Sequence, residues 1–564
     1  MKKVEKANRI KGILFALPFA VMQLIGKDLS ADNKINDLAL GKFYIMRALI
    51  LFTGYFVVAY VLSVLGFYII EKLREKVAAN KENTVERIYI KSYLKSVLGV
   101  FVFWIPYYIF FFPGTSNIGD TDKQIRMFFH RPVKFPLNVS PVQGPDIYIT
   151  DHHPFFTTWL YGSFVKLGIT LFGRAWMGVA IFSFLQMLLF CAFLVFILFR
   201  VRSFGLPSKI FKLGIVFTAL FPFYPMLAVC MVKDMTFSFF CLTTVWMIFE
   251  ISMSEGMLLK NKWFVAGFAI SNVLFMLSKG QGKYFVMVLA VMMMAVYWKY
   301  WYSVAITTVL PIFFVVVVWG KILLPVWNIS PGGKQEAIGT LLQQSARYVV
   351  TYPDEVTEEE KNAIAAVIDY DNIAENYDPT VTNPIKITFN QKATKEQMRN
   401  YYKCWFAMFL KHPGLYFEST LNTCYKFFDM TWEGNPFFVC FNIDVEQDDE
   451  LYVESFFTSG EIGNSIKWLF TEIRAIPIIG ILFKTSFYTW VVWFLFLVNL
   501  KRRNSRMLVF CTIPILSIMI YAACPRSLPR YAEPVIMMIV PMLMATIVTG
   551  TEVKISDNSD VIKV

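Results

Sequence analysis

The sequence predicts an all-α polytopic membrane protein, with about 12 transmembrane helices, one interfacial helix and an extracytoplasmic, mainly helical domain. Three observations carry this prediction. Apolar residues make up 56% of the 564 and charged residues 17%, against about 25% charged in an ordinary soluble domain. The apolar residues gather in runs of roughly 15 to 25, the length that crosses a bilayer. Charge is also segregated: residues 324–476 hold 22 of the 41 acids but 12 of the 54 bases, although the whole chain carries +13. A soluble enzyme this apolar would expose large greasy patches, and a disordered chain has no such runs. A nucleic-acid partner is disfavoured, because no basic stripe with interleaved aromatics is evident in a soluble segment.

The elements follow in order. Lys2, Lys3, Lys6, Arg9 and Lys11 precede an apolar run at 12–26. That is the layout of a signal sequence without a small-residue cleavage site, so it reads as a retained signal anchor. Further runs lie at about 43–70, 96–113, 175–199, 211–232, 235–251, 263–278, 284–298, 303–324, 476–500, 507–523 and 533–549. With both termini inside, alternate loops carry Lys72, Arg74 and Lys76, then Arg200 and Arg202, Lys260 and Lys262, Lys299, and Lys501, Arg502 and Arg503. This is the positive-inside pattern of a plasma-membrane protein. It holds only if 154–172 does not cross. That segment follows Pro154, carries Lys166 and is rich in Phe155, Phe156, Trp159 and Tyr161, so it reads as an interfacial helix.

The expected divisions are 1–95 (anchor, second span and cytoplasmic loop), 96–323 (membrane core with an outer loop at 114–172), 324–475 (acidic extracytoplasmic domain), 476–550 (closing spans) and 551–564 (cytoplasmic tail). Within the acidic domain, helices are expected at 335–350, 357–368, 394–412 and 413–428, with Thr357–Glu360 as a capping box. Gln343, Gln344 and Arg347 read as a solvated face or an acceptor contact. Cys404, Cys424 and Cys440 leave a Cys404–Cys424 bridge open, and no zinc spacing is present. Lys484, inside an apolar run, reads as snorkelling. Asn138 and Asn328 begin glycosylation-type tripeptides.

Chemistry concentrates in the first outer loop. It runs through Gly119, Asp120, Thr121 and Asp122 to Arg126 and closes on Asp151, His152, His153 and Pro154. Three of the four histidines (His130, His152 and His153) lie in it. Polar residues massed beside a span mark sites. Asp120 also suits a plain helix N-cap, and Lys233–Asp234 suits a neutralising pair at a helix start. His152 and His153, with Asp151 or Asp120, are the candidate set for a divalent metal, against the tendency of adjacent His side chains to diverge.

The pattern resembles the GT-C membrane glycosyltransferases, nearest the branch of protein O-mannosyltransferases and lipid A aminoarabinose transferases. Asp120 stands where that family has its catalytic acid, and His153-Pro154-Phe155-Phe156 where it has His-Pro-Pro-Leu. Gly173-Arg174 resembles its Arg before the next span. Met231-Val232-Lys233-Asp234-Met235 resembles its basic–acidic pair, and Arg530-Tyr531-Ala532-Glu533-Pro534 its closing element. The chain departs from the family in two extra leading spans, Phe155 for a proline, Thr121 for a second acid, and an outer domain placed before the last spans. The resemblance implies transfer of a sugar, with inversion, from a polyprenyl-phosphate donor to an acceptor hydroxyl of a cell-envelope glycopolymer (a polysaccharide), lipid or protein. Asp120 would be the general base, with Asp122 as the alternate. Cations for the phosphate would come from Arg126, Lys233, Lys279, Lys283, Arg526 and Arg530, with His152, His153, Arg174 and Asp234 around the substrate. No cofactor is required beyond that candidate metal. A transporter or flippase of a lipid-linked precursor and a polysaccharide polymerase or ligase are the rival readings.

Overall fold

A computed structural model describes residues 2–35, 41–79, 89–114, 120–131, 149–432, 451, 456–457, 460–500 and 505–549. Among these the chain is helical without a sheet; strand-like pairing takes the form of isolated bridges, among them Thr150–Ser330 and Asp378–Val381. Asn138, Cys440, Lys501, Arg502, Arg503 and the tail lie outside the described residues.

Eight described helices are long and apolar enough to cross a membrane: Ala7–Asp32, Lys42–Ala79, Ile90–Phe110, Ala175–Ser203, Lys233–Met253, Trp298–Val326, Ser505–Ala523 and Pro529–Val548. Lys262–Ser278, Gly282–Val296 and Thr485–Leu500 are apolar but shorter. The difference from about 12 has a local cause. The run at 211–232 is not one helix: Ser208–Leu220 stops before Pro222, a six-residue turn of helix covers Phe223–Ala228, and Val232 is extended. Proline lacks the N–H that would continue the ladder. The run at 476–500 is also divided, into Pro477–Ile481 and a 16-residue helix with a turn at 482–484 between them; at 1.5 Å per residue that helix reaches about 24 Å. Lys484, at that break, donates to the Met430 carbonyl.

We label the helices used below α1 (Lys2–Asp32), α2 (Lys42–Ala79), α3 (Ile90–Phe110), α4 (Thr121–Phe128), α5 (Phe155–Phe172), α6 (Ala175–Ser203), α7 (Lys233–Met253), α8 (Lys262–Ser278), α9 (Gln335–Thr351), α10 (Glu358–Ala365), α11 (Lys395–Lys411), α12 (Pro413–Cys424), α13 (Thr485–Leu500) and α14 (Glu533–Val548). α14 is buried on nearly every side and packs against α7, α13, α6 and α2. A helix apolar all round belongs at the centre of a bundle. α5, expected at the interface, is not among the eight; it lies along α6 and against α4. Glycines set that crossing. A Cβ on Gly168 would stand 2.1 Å from Gly178 N, and one on Gly178 would stand 2.1 Å from the Phe164 carbonyl oxygen. Backbone cannot swing aside, and small residues at helix crossings exist for this close approach. Gly178→Ala is therefore expected to lose about 1–3 kcal/mol, the range for overpacking, read as a lower melting temperature in detergent.

Helices α9 to α12 enclose a second apolar core around Leu342, Tyr348, Ile364, Tyr401, Met408 and Tyr416. The helices fall close to the expected stretches. The Thr357–Glu360 capping box is formed, and Thr394 with Gln397 makes another. Gln343, Gln344 and Arg347 are neither a solvated face nor exposed: Gln343 donates to the Asp378 carbonyl, Gln344 to Thr420, and Arg347 to Glu418 and the Asn33 carbonyl. Each bridges α9 to another segment, which periodicity alone does not reveal. Cys404 and Cys424 are both free and buried; they lie on α11 and α12, Cys424 in the main apolar core and Cys404 beside the charges of Glu359, Glu360, Lys403 and Lys411. The unit abuts the loop before α14 through Thr382 N to the Pro525 carbonyl (2.8 Å) and Ser527 to the Thr423 carbonyl (2.7 Å).

Candidate functional site

Four helix ends meet at one place. α7 begins at Lys233, after the extended residue Val232, and α14 begins at Glu533. α8 ends at Lys279, and Asp120 precedes α4. α7 opens abruptly after extended Val232, and the N-terminal end of a helix carries positive partial charge, so it presents a field that favours anions.

Side chains tie these ends together. Gln124 of α4 donates to Thr157 (2.7 Å) and Thr158 (3.0 Å) of α5. Tyr161 of α5 shares a 2.7 Å bond with Thr236 of α7. Asp151 Oδ1 accepts from Phe155 N at 2.9 Å, so it caps α5. These bonds hold Asp120, His153 and Lys233 in register. Lys233 Nζ stands 3.0 Å from Asp120 Oδ2 and 2.8 Å from His153 Nδ1. An ammonium only donates, so Nδ1 is the lone-pair nitrogen and the proton of neutral His153 is on Nε2. Asp120 occupies the N-cap position of α4 but its side chain makes no cap bond; the carboxylate is committed to Lys233. Lys123 Nζ lies 4.0 Å from Asp120 Oδ1.

Behind this triad is a second pair. Asp234 binds Lys279, whose ammonium stacks over Tyr531 (4.9 Å) and Phe237 (5.6 Å). Arg530 lies over the Tyr531 ring and donates to its hydroxyl at 3.3 Å. Its charge reaches both Asp120 and Asp234. Lys233 and Asp234 thus do not neutralise each other; successive residues on a helix point apart, and each finds its partner on another element. Glu533 is buried beside Asp234 and Lys279. Asp234 Oδ2, Arg530 Nε and Glu533 Oε2 are buried without a partner among the described residues, which leaves polar capacity for a ligand.

Burial would raise the Asp120 carboxyl, but the Lys233 ammonium, with Arg530 behind it, outweighs that and holds it well below the usual carboxylate range. Burial and Lys233 push His153 well down, and burial pushes His152 to about 4. Both stay neutral at pH 7. Burial also raises Asp122, and it raises Asp151 to about 6. Folding thus favours protonated Asp151. The stability this gives is complete below about 3.9, the unfolded value, and is lost as pH rises through about 6. Asp151→Asn is expected to raise the melting temperature by a few degrees at pH 7.5, with the gain vanishing as pH falls from 6 towards 4.

The structure brings together Asp120, His153, Lys233, Asp234 and Arg530. Asp122 and Arg126 lie on α4, with Arg126's charge acting on Asp122. His152 is beside His153, ring centroids 4.6 Å apart. Arg174 is exposed at the head of α6, and Arg526 is exposed with its charge acting on Lys426; no polar contact among the described residues joins either to the cluster. Lys283's charge acts on Asp151. Of the closing element only Arg530 reads as a site residue in the sequence; Tyr531 and Glu533 join it in the structure, as does Gln124. An acid heading an apolar run was the available signal for Glu533. Among the described residues no three His, Cys, Asp or Glu group as metal ligands, and Lys233 stands between Asp120 and His153 where a shared cation would sit.

Fold and site together define a multi-pass helical membrane protein with a buried charge cluster at one end of its bundle. The chain belongs to the family of unknown function DUF6020, which it matches over residues 2–559. No curated protein and no solved structure matches it.

Proposed function

We propose that the protein is a GT-C-like glycosyltransferase of the plasma membrane. It moves a sugar from a polyprenyl-phosphate donor to a hydroxyl of a cell-envelope glycopolymer, lipid or protein on the extracytoplasmic side, both termini being cytoplasmic. The observation that carries this reading is the bridging of Asp120 to Lys233 and His153 at the heads of α7 and α14, with Arg530 and Lys279 behind. The residues matching the family pattern are far apart in sequence, yet four of the five matched elements meet there.

In this reading the donor phosphate approaches Lys233, Arg530 and Lys279 and the N-terminus of α7. Cations fixed where charge develops are worth most in a dry site. Drawing Lys233 towards phosphate relieves its hold on Asp120, which regains basicity. The acceptor oxygen then bonds to the anomeric carbon as the carbon–phosphate oxygen bond breaks. The hydroxyl proton goes to Asp120, and the electron pair leaves on the lipid phosphate. His153 positions Lys233 through Nδ1.

The test is to incubate the purified protein with a polyprenyl-phosphate-linked sugar and a hydroxyl acceptor. A new glycosidic bond made by wild type and not by Asp120→Asn supports the reading. The charges buried at Asp234, Lys279 and Glu533 also suit a translocation path. Movement of labelled lipid across vesicles without bond formation would favour the flippase instead.

A further inference from the structure

We infer that a shallow groove on α11 binds an anionic saccharide chain and delivers it to the cluster as acceptor. The groove is lined by Lys334, Lys395, Met398, Arg399, Tyr402, Lys403 and Phe406. Lys395, Arg399 and Lys403 recur every four residues, so they share one face of α11 with a rise of about 6 Å between them. Tyr402 and Phe406 lie on the same face, 41% and 52% exposed. In linear order Glu396 and Asn400 interrupt this stripe, which hides it from a reading of composition; helical phase carries Asn400 off it and leaves Glu396 at its edge beside Lys403.

The charges are available. None of the four cations takes part in an ion pair among the described residues, while nearby acids are engaged: Glu336 with Lys386, Glu360 with Lys411, Glu355 with His412 and Glu418 with Arg347. Four cations against one bordering acid, Glu396, leave a local positive excess within an otherwise acidic segment, and this selects an anionic ligand locally, since screening confines charge effects to about 8 Å at physiological salt. Aromatic faces between cations suit the apolar faces of sugar rings, and the even spacing suits a repeating chain.

The groove also adjoins the site. Ser330 N donates to the Ile149 carbonyl (3.1 Å) and Asp151 N to the Ser330 carbonyl (2.7 Å). Gly332 lies against the His152 backbone, where a Cβ would meet its Cα at 3.2 Å. Lys334 follows two residues later. A chain held along Lys403, Arg399, Lys395 and Lys334 therefore runs towards His152 and Asp151. The acceptor role rests on the transferase reading; the binding does not.

The experiment uses the full chain in non-ionic detergent with fluorescein-labelled polygalacturonate, against dextran, phosphatidylglycerol nanodiscs and an RNA oligonucleotide. Wild type is expected to bind polygalacturonate, weaken as salt rises and ignore dextran. Lys395→Gln/Arg399→Gln/Lys403→Gln, all exposed and so compatible with folding, should weaken binding by about tenfold with an unchanged melting temperature. Asp120→Asn should bind like wild type, which separates the groove from the chemistry. Absence of binding, equal binding by the triple variant, or a triple-variant defect confined to nanodiscs or RNA would overturn the groove and leave the transferase reading to its own assay.

Discussion

Asp120→Asn is expected to lower sugar transfer by about a hundred- to ten-thousand-fold, the usual contribution of a positioned general base. The amide keeps the shape and still accepts a hydrogen bond from Lys233, but it cannot take a proton. Asp122→Asn should change turnover by only a few-fold, because the contacts to Lys233 and His153 belong to Asp120. The pH profile supplies a readout that mere misfolding would not give. Asp120 is held well below the usual carboxylate range chiefly by Lys233, so it stays ionised as pH falls and the acid limb of wild-type turnover lies low. Lys233→Gln removes that hold. Burial then acts with less opposition, and the acid limb should move to higher pH along with the loss of turnover. Had Asp120 been only a helix cap, neither the limb nor turnover would respond; an Asp120→Asn enzyme with wild-type turnover removes it as the base.

How far the sequence revealed this arrangement depends on the length scale of each cause. The apolar runs of α2, α3, α6 and α7 are local, and their helices lie close to where those runs predict. So are the capping residues Thr357 and Thr394, whose bonds close within one turn. The break at Pro222 is local as well, but an apolar count passes over it because the flanking residues remain hydrophobic. Pairing is not local. Lys233 and Asp234 look like mutual partners in the chain, yet one binds Asp120 and the other Lys279. Arg174 and Arg526 look equivalent to Arg530 as cations near helix ends, and only packing distinguishes the half-buried one from the two exposed ones. Gln343, Gln344 and Arg347 carry the same lesson: polar residues on a helix can face a neighbouring element as readily as water.

Asp234→Asn is expected to destabilise the protein by about 3 kcal/mol, at the low end for stripping one partner from a buried ion pair. Asp234 is 1% exposed, and without it the Lys279 ammonium retains only the rings of Phe237 and Tyr531 and the nearby Glu533. Glu533 is why the loss should stay near that low end, and Asp234→Asn/Glu533→Gln should exceed it. Adding Lys279→Met to Asp234→Asn removes the stranded charge. With neither charge left, the penalty for a buried unpaired ion is gone, so the melting temperature should recover most of the loss. If the transferase reading holds, turnover should not return with it, because in that reading Lys279 is one of the cations that meet the donor phosphate. The opposite end of α7 provides the control. Arg200 grips Glu250 through two bonds, 2.8 and 2.9 Å, in an equally buried but remote position. Glu250→Gln should lower stability in the same way, and the folded fraction should transfer sugar at the wild-type rate. Recovery of turnover in Asp234→Asn/Lys279→Met would mean that this pair is scaffolding, and that phosphate is held by Lys233 and Arg530 alone.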